Sequence, residues 1–411
     1  MNETSIDAAR RITPARRQHV EVHRIDCTGP GDLGGVRALI ESGDLVPAEI
    51  VAVMGKTEGN GCVNDHTREY AAAMWCQLLA SHLDCPPAAV ERRVALVMSG
   101  GTEGVLSPHF TVFTRRWVDE AATHGQKRLV IGTASTRDFA PEEIGRVAQV
   151  DATAQAVSAA MADAGITDVA DVHFVQVKCP LLTAVKIGDA IGRGALPVTR
   201  DTYESMGCSR GASALGVAVA LGEVARKAVT DAAVLTDTTL FSSCASASAG
   251  IELQGNVVIV LGEVAGAASP YQIAHTVMRD AVDAAAVRAL LRDAFGLDAD
   301  SDAEHLSRRL VNLLAKAEAD PSGEVRGRRH TMLNDSDINA TRHARAVVGG
   351  VLASVVGQTA LFVSGGAEHQ GPPGGGPVAA ILRVEASRIA PASRARVDRG
   401  PSTSPTARPG A

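Results

Sequence analysis

One small constellation is written three times along this chain. A lysine ends an apolar run, Thr/Ser-Arg follows where a helix is expected to open, and Ser-x-Gly-x-Glu follows a second apolar run. The copies are Lys56, Thr67-Arg68 and Ser99 to Glu103; Lys178, Ser209-Arg210 and Ser248 to Glu252; and Lys316, Thr341-Arg342 and Ser364 to Glu368. A repeat of this kind predicts three like units whose lysines, arginines and serines converge on one axis. Such a site suits a compact ligand with threefold polar symmetry.

Length agrees with that division, since 411 residues exceed a single core and three units of roughly 100 to 140 residues each fill the chain. The spacing keeps its order but not its length. Lysine to serine is 43 residues in the first copy, 70 in the second and 48 in the third, so the middle copy carries an insertion. Insertions of that kind become loops or added surface elements. The expected units are A over 18–120, B over 127–264 and C over 270–385, with a flexible extension over 1–17 and a disordered tail over 386–411.

Short apolar runs at 50–54, 94–98, 129–131, 172–177, 257–261, 360–363 and 378–382 read as buried strands. Helical periodicity occupies 67–82, 142–164, 211–227, 279–295 and 337–356. The expected fold class is therefore α/β: three similar repeats with pseudo-threefold symmetry, strands around the central axis and helices outside. Aromatic residues are only 3% of a chain that is 45% apolar, so the core has to be built from Ala, Val, Leu and Ile.

A net charge of −6 with interspersed signs and no long basic block argues against a nucleic-acid partner. Seven cysteines, an odd number without a CxxC pair, fit a reduced, cytoplasmic setting. No apolar h-region follows Arg10, Arg11, Arg16 and Arg17, and no stretch is long enough to span a membrane. Gly55-Lys56-Thr57 resembles the end of a phosphate loop, but Ile50 stands where its first glycine should be. His173, His343 and His369 lack zinc-hydrolase spacing. The loop 371–377, rich in Gly and Pro, is either a plain connection or a set of carbonyls around a hard cation with Glu318 as the charged ligand.

A lysine serves as a base only when its pKa falls from about 10.4 toward neutrality, through burial or neighbouring positive charge. Three lysines and three arginines on one axis would supply the second. A neutral lysine could then take the proton of a serine hydroxyl, and backbone N–H groups beside each serine could hold an oxyanion. A single lysine at a strand end is usually solvated, and a single serine in a Gly-rich turn is usually a turn residue. Recurrence in one order is what separates these residues from that background.

At these same residues the sequence closely resembles the cyanuric acid hydrolase and barbiturase family of ring-opening amidohydrolases. The resemblance covers about 19–385 and is carried by residues 53–65 (ValMetGlyLysThrGluGlyAsnGlyCysValAsnAsp), 97–109, 173–183, 201–207 and 364–372 (SerGlyGlyAlaGluHisGlnGlyPro). It implies the three-repeat "Toblerone" architecture, with three Ser-Lys pairs around a cyclic substrate. It implies Ser248 as nucleophile and Lys178 as its base. Lys56, Arg68, Ser99, Gly100, Arg210, Ala249, Lys316, Arg342, Ser364 and Gly365 would then bind substrate. The family's structural metal site transfers to the side chain of Glu318 and to Ala367, Gln370, Gly371, Pro372 and Gly375 through carbonyls, giving a structural Mg2+ or Ca2+ with no cofactor for the chemistry.

By that resemblance the reaction is hydrolytic opening of cyanuric acid to carboxybiuret, which decarboxylates to biuret, in s-triazine (atrazine) degradation by a homotetramer. MetGlyCysSerArgGlyAlaSer around Arg210 and the Ser364 stretch look like the cyanuric acid versions. Three equivalent anchors also suit a ring with three equivalent carbonyls. Barbiturase activity on barbituric acid and non-catalytic binding of a cyclic imide are the alternatives, separable by assay on both rings.

Overall fold

The computed structural model describes residues 16–119 and 126–385; the expected tail and residues 1–15 of the expected extension lie outside the described residues. In chain order the elements are β1 (Arg17–Asp26), α1 (Gly34–Ser42), β2 (Ile50–Thr57), α2 (His66–Leu83), α3 (Pro87–Val90), β3 (Ala95–Gly100), β4 (His109–Val118), β5 (Lys127–Ser135), α4 (Val147–Ala164), β6 (Val172–Cys179), α5 (Ala184–Gly192), α6 (Thr202–Ala220), β7 (Ala245–Ala249), β8 (Val257–Ala265), β9 (Tyr271–Met278), α7 (Ala284–Phe295), α8 (Ala303–Arg309), β10 (Leu310–Ala317), β11 (Glu324–Val325), β12 (Arg328–Arg329), α9 (Ala340–Val356), β13 (Phe362–Gly365) and β14 (Gly376–Arg383). β1 takes in Arg17, which the sequence reading left in the extension.

Three four-stranded sheets have the orders β1-β4-β2-β3, β5-β8-β6-β7 and β9-β14-β10-β13, which is one topology written three times. In each, the second and third strands run parallel, and the fourth lies antiparallel between the first and second. Even an irregularity recurs. The second strand slips register against the fourth between Ile50 and Ala52, between Val172 and Phe174, and between Leu310 and Asn312. Such a bulge re-aims the residues beyond it.

Past the bulge, period-two alternation gives each sheet two apolar faces. On one face Ala52 and Met54, Phe174, and Leu314 join Val97, Ile259, Phe362 and Ile381 in a single core to which all three sheets contribute. Residues of the other face pack with each unit's own helices, as Val53 does with Trp75 and Leu79, Val177 with Ala214, and Ala315 with Val348 and Leu352. The sheets therefore meet through their inner faces and the helices lie outside, as the apolar pattern implied. Aromatic scarcity is met by Ala and Val in close contact, and Trp75 against Phe110 is an edge-on aromatic pair with centroids 5.4 Å apart.

The helix boundaries differ from those expected. α6 runs over Thr202–Ala220 rather than 211–227, because Asp201 caps it by accepting from the Glu204 N–H. Ser209-Arg210 consequently lies in mid-helix and does not open one. α4 begins at Val147, after a short turn over Pro141–Glu143. β1, β4, β7, β9, β10, β11 and β12 lie outside the expected strands: β7 is AlaSerAlaSerAla, which has no β-branched or large residue to mark it.

Close helix-to-strand packing at Gly132 on β5 gives a direct test. A Cβ there would lie 2.0 Å from the Ala160 carbonyl oxygen of α4. Gly132→Ala is expected to destabilise by about 2 kcal/mol or more. Gly188→Ala, within α5 and with nothing inside 4 Å of the added methyl, should stabilise by about 0.5 to 1 kcal/mol. Urea midpoints of the two variants against the parent check both signs.

Candidate active site

Alternation along the strands carries the site. Lys56 follows Ala52 and Met54 on the inner face of β2, Lys178 follows Phe174 and Gln176 on β6, and Lys316 follows Asn312 and Leu314 on β10. Parallel pairing with the neighbouring strand then sets Lys56 opposite Ser99, Lys178 opposite Ser248 and Lys316 opposite Ser364. One hydrogen bond recurs after each serine: the N–H groups of Gly101, Gly250 and Gly366 donate to the carbonyls of Thr57, Cys179 and Ala317. A methyl at Gly100 would lie 1.6 Å from Asp65 Oδ2, so the first copy requires glycine there.

All three serines and one of the lysines border one narrow cavity, lined by Gly61, Arg68, Ser99, Gly100, Lys178, Met206, Arg210, Ser248, Ala249, Arg345, Ser364 and Gly365. Lys56 and Lys316 stand just behind the serines. Lys56 Nζ donates to Ser99 Oγ at 3.3 Å and Lys316 Nζ to Ser364 Oγ at 3.3 Å, while Ser99 Oγ donates to Ser364 Oγ at 3.3 Å. The middle pair differs. Lys178 Nζ donates to the Met98 carbonyl at 2.8 Å and lies 3.2 Å from Glu252, and Ser248 Oγ accepts a long bond from Gln176 Nε2 at 3.5 Å. Ser248 is 8% exposed, against 4% for Ser99 and 1% for Ser364.

The third arginine is not the one expected. Arg345, 3% exposed, lines the cavity; Arg342 does not, its side chain being 38% exposed. Arg345 shares its inward face of α9 with Ala344, Val348, Gly349 and Leu352; Arg342, three residues earlier, is not among the buried residues of the helix and meets Glu103 Oε1 through Nε at 3.4 Å. A helical stripe of apolar residues through Arg345 was the available signal, and Thr-Arg likeness to the first copy masked it.

Each repeat glutamate also acquires a place. Glu103 takes Arg345 through Nε at 2.7 Å and Nη2 at 2.5 Å, and Glu368 takes Arg210 through Nε at 2.8 Å and Nη2 at 2.5 Å. Both bonds join different units, and both arginines are largely neutralised by them. Glu252 turns to Lys178, leaving Arg68 with the carbonyls of Cys62 and Ala249 and with a buried Nε that has no hydrogen-bond partner.

Burial, rather than the expected crowd of positive charge, is the chief cause that lowers the three lysines. Lys56 is held well below its ordinary pKa by burial and then by Arg345. Lys178 is lowered by burial against the opposing pull of Glu252. Lys316 falls to about 7 through burial and then Arg210.

Glu318 lies half-buried at a separate cavity of about 220 Å3, which Ala367, Glu368, His369 and Gly371 also line. Burial and the nearby Glu368 raise its pKa to about 7. Its carboxylate receives one long backbone bond, from the Gly374 N–H at 3.4 Å. The Gln370 side chain is occupied by the Ala247 N–H and by the carbonyls of Gly366 and Glu368, so only its backbone carbonyl remains for a metal. Gln370, Pro372 and Gly375 do not line the cavity. Among the described residues no group of three or more His, Cys, Asp and Glu side chains could hold a metal; a single carboxylate among loop carbonyls fits a hard cation and not a soft one.

Among the described residues no helix is long and apolar enough to cross a membrane. Residues 21–383 match the family described as amidohydrolase ring-opening protein. The chain is 61% identical over 366 residues to a cyanuric acid amidohydrolase of Pseudomonas sp. (strain ADP), covering 89% of this chain and 99% of that one. It is 60% identical over 370 residues to the enzyme of that name from Bradyrhizobium diazoefficiens, covering 90% and 99%. A solved cyanuric acid hydrolase, described as an evolutionary innovation by structural concatenation, superposes with a TM-score of 0.86 at 60% identity over 90% of this chain and all of that one. A second, from A. caulinodans, gives 0.82 at 52% identity, with 90% and 100% covered. With the family matched over nearly the whole of the described chain and relatives 61% and 60% identical over 99% of their own length, the chain belongs to the ring-opening amidohydrolase family.

Proposed function

We propose that this protein hydrolyses cyanuric acid to carboxybiuret, which loses CO2 to give biuret, and that its three units are pseudo-threefold repeats around the central cavity. The observation that carries the reading is the register that faces a lysine with a serine three times on one cavity. A ring with three equivalent carbonyls matches that arrangement, and the relatives' names support cyanuric over barbituric acid.

Ser248 is assigned as nucleophile with Lys178 as base. Ser99 and Ser364 are tied to lysines and to each other, which suits them to polarise carbonyls; Ser248 is the most exposed of the three and carries no bond from a lysine. Its Oγ attacks a ring carbonyl as Lys178 takes the proton, and Lys178 returns it to the ring nitrogen as the C–N bond breaks. Water then releases the acyl group. The N–H following each serine, at Gly100, Ala249 and Gly365, is the backbone donor nearest the developing charge, because the next one is spent on the turn. A second reading, with Ser364 as nucleophile, is favoured by its 3.3 Å bond from Lys316.

Purified enzyme assayed on both rings should prefer cyanuric acid in kcat/KM. Ser248→Ala should lose about 10^4-fold or more of turnover, and Ser99→Ala and Ser364→Ala nearer 100-fold each. If Ser364→Ala is the inactive variant and Ser248→Ala turns over, the second reading holds. Arg345→Ala is expected to lower kcat/KM about 100-fold, and Arg342→Ala about tenfold at most. Steady-state kinetics of the two arginine variants decide between the positions.

Glu318, with the carbonyls of the loop from Ala367 to Gly375, is proposed to hold a structural Mg2+ or Ca2+ that stabilises the third unit and takes no part in the chemistry. A cation would give the half-buried carboxylate a positive partner, since among the described residues it forms no ion pair. Adding either ion to chelator-treated enzyme should raise the melting temperature, with the increment growing with the logarithm of ion concentration. Glu318→Gln should abolish the increment.

A further inference from the structure

Only one of the three lysines touches a carboxylate. The ammonium groups of Lys56 and Lys316 meet serine hydroxyls and the carbonyls of Gly100, Ala247 and Gly365. Among the described residues neither has an acidic side chain within ion-pair distance, whereas Glu252 lies 3.2 Å from Lys178 Nζ. The sequence motif makes Glu103, Glu252 and Glu368 equivalent; the structure sets Glu252 apart, because its two counterparts are spent on arginines.

A buried lysine becomes a base only after it sheds a proton, and that proton needs somewhere to go. The Lys178 side chain is 1% exposed, and its one open side is the central cavity that substrate fills. Its other partner, the Met98 carbonyl, does not accept a proton in this range of acidity. Glu252 faces the other way as well. Its side chain is 24% exposed and borders a cavity of about 320 Å3 outside the catalytic one, together with Glu91, Arg92, Met98, Asp138 and Asn256. One carboxylate thus joins the sealed amine to an open pocket.

We propose that Glu252 is the proton port of Lys178: it accepts the lysine's proton so that the neutral amine can act on Ser248, and it exchanges that proton with solvent through the outer cavity. This rests on Ser248 and Lys178 being the reacting pair. The Lys178 ammonium and Glu252 carboxylate become amine and carboxylic acid. The amine takes the Ser248 proton as the Oγ–C bond forms and passes it to the ring nitrogen as the C–N bond breaks. In the second half it takes a proton from the attacking water and gives it to Ser248 Oγ as the ester breaks. Glu252 returns a proton to Lys178 when product leaves, either the one it took or one exchanged for it through the outer cavity, so the cycle balances.

Burial weakens the hold of Lys178 on its proton. It works in the opposite sense on Glu252, although Lys178 and Arg68 together keep that carboxylate below its ordinary range. Glu91, Arg92 and Asp138 share the outer cavity with Glu252. Arg68 on α2 opposes the charge on Lys178 and favours that on Glu252, and Cys179 adjoins Lys178 on β6.

Kinetics on cyanuric acid over a range of pH test the proposal, with Glu252→Gln, Glu252→Ala and Ser248→Ala beside the parent. Glu252→Gln cannot take a proton and should lose about 100-fold or more in kcat with KM within about threefold. Removing the negative charge also lowers the Lys178 pKa, so the acidic limb of the remaining activity should lie at lower pH than in the parent. Glu252→Ala opens the outer cavity to the amine, and formate added to it should restore about tenfold or more of kcat. A purely structural role for Glu252 predicts neither the displaced limb nor the rescue. Unchanged kcat and an unmoved limb in Glu252→Gln overturn the proposal, as does folded Glu252→Ala that ignores formate. Should Glu252→Gln not fold, the formate experiment decides alone. Near-native turnover in Ser248→Ala would instead remove the assignment beneath it, whereas an inactive Ser248→Ala with a normal Glu252→Gln removes only the port.

Discussion

Parallel pairing of two neighbouring strands, repeated in three sheets, is the constraint on which the rest of this molecule depends. In a parallel ladder, residues directly opposite each other point to the same face. A lysine and a serine placed at the carboxyl ends of such strands therefore face the same space with no loop to position them. Inner-face alternation does the rest: the residues two and four positions back on β2 belong to the common core, so the core itself fixes the direction in which Lys56 extends. A one-residue slip would turn the lysine outward, among the helices. The bulge at the start of each second strand sets that phase.

Bringing three amines to one buried place has a cost that composition alone does not disclose. Lys56, Lys178 and Lys316 are each 0 to 1% exposed, and a sealed ammonium is costly unless it is paired or neutral. The structure answers differently in each copy. Lys56 and Lys316 are surrounded by carbonyls and hydroxyls, which suit either form of an amine; Lys178 has a carboxylate. Repetition supplied the three groups, and departure from repetition gives them different partners. The exchange of Glu252 from an arginine to a lysine is the smallest such departure, and it also leaves Arg68 with its Nε unpaired at the cavity wall.

Much of this was legible in the sequence, because order along the chain survives insertion. Lys56, Lys178, Lys316 and the three serines stand as the motif placed them, and apolar runs revealed the second strand of two sheets and the fourth strand of two. What failed did so for local reasons. β7 is built of alanine and serine and carries no strand signal, yet it holds Ser248; tertiary pairing with β6 makes it a strand. The Arg342 reading followed the identity of two adjacent residues where helical phase was the better guide, since a side chain reaches a buried cavity only from the inward stripe of α9. Glu252 belonged to the motif from the start, but which partner a carboxylate takes depends on distances that no spacing encodes.

The insertion in the middle copy explains how near-equivalent units are kept from being interchangeable. After α6 the added chain crosses to the third unit, where His369 receives it from both sides. His369 Nε2 accepts from the Leu235 N–H at 2.8 Å, which leaves Nδ1 to donate to the Leu240 carbonyl at 2.6 Å, and the Ser242 N–H donates to the His369 carbonyl at 3.0 Å. Leu235 and His369 both take left-handed backbone conformations there, at φ of 64° and 58°, which non-glycine residues adopt only when their surroundings hold them. Burial keeps the imidazole neutral by lowering its pKa, and a neutral ring is the form that can donate through one nitrogen while accepting through the other. The same residue follows Glu368 and borders the Glu318 cavity. One histidine in the third copy thus fastens the second copy's insertion beside the carboxylates of Glu318 and Glu368, a contact that the first copy, lacking such an insertion, does not reproduce.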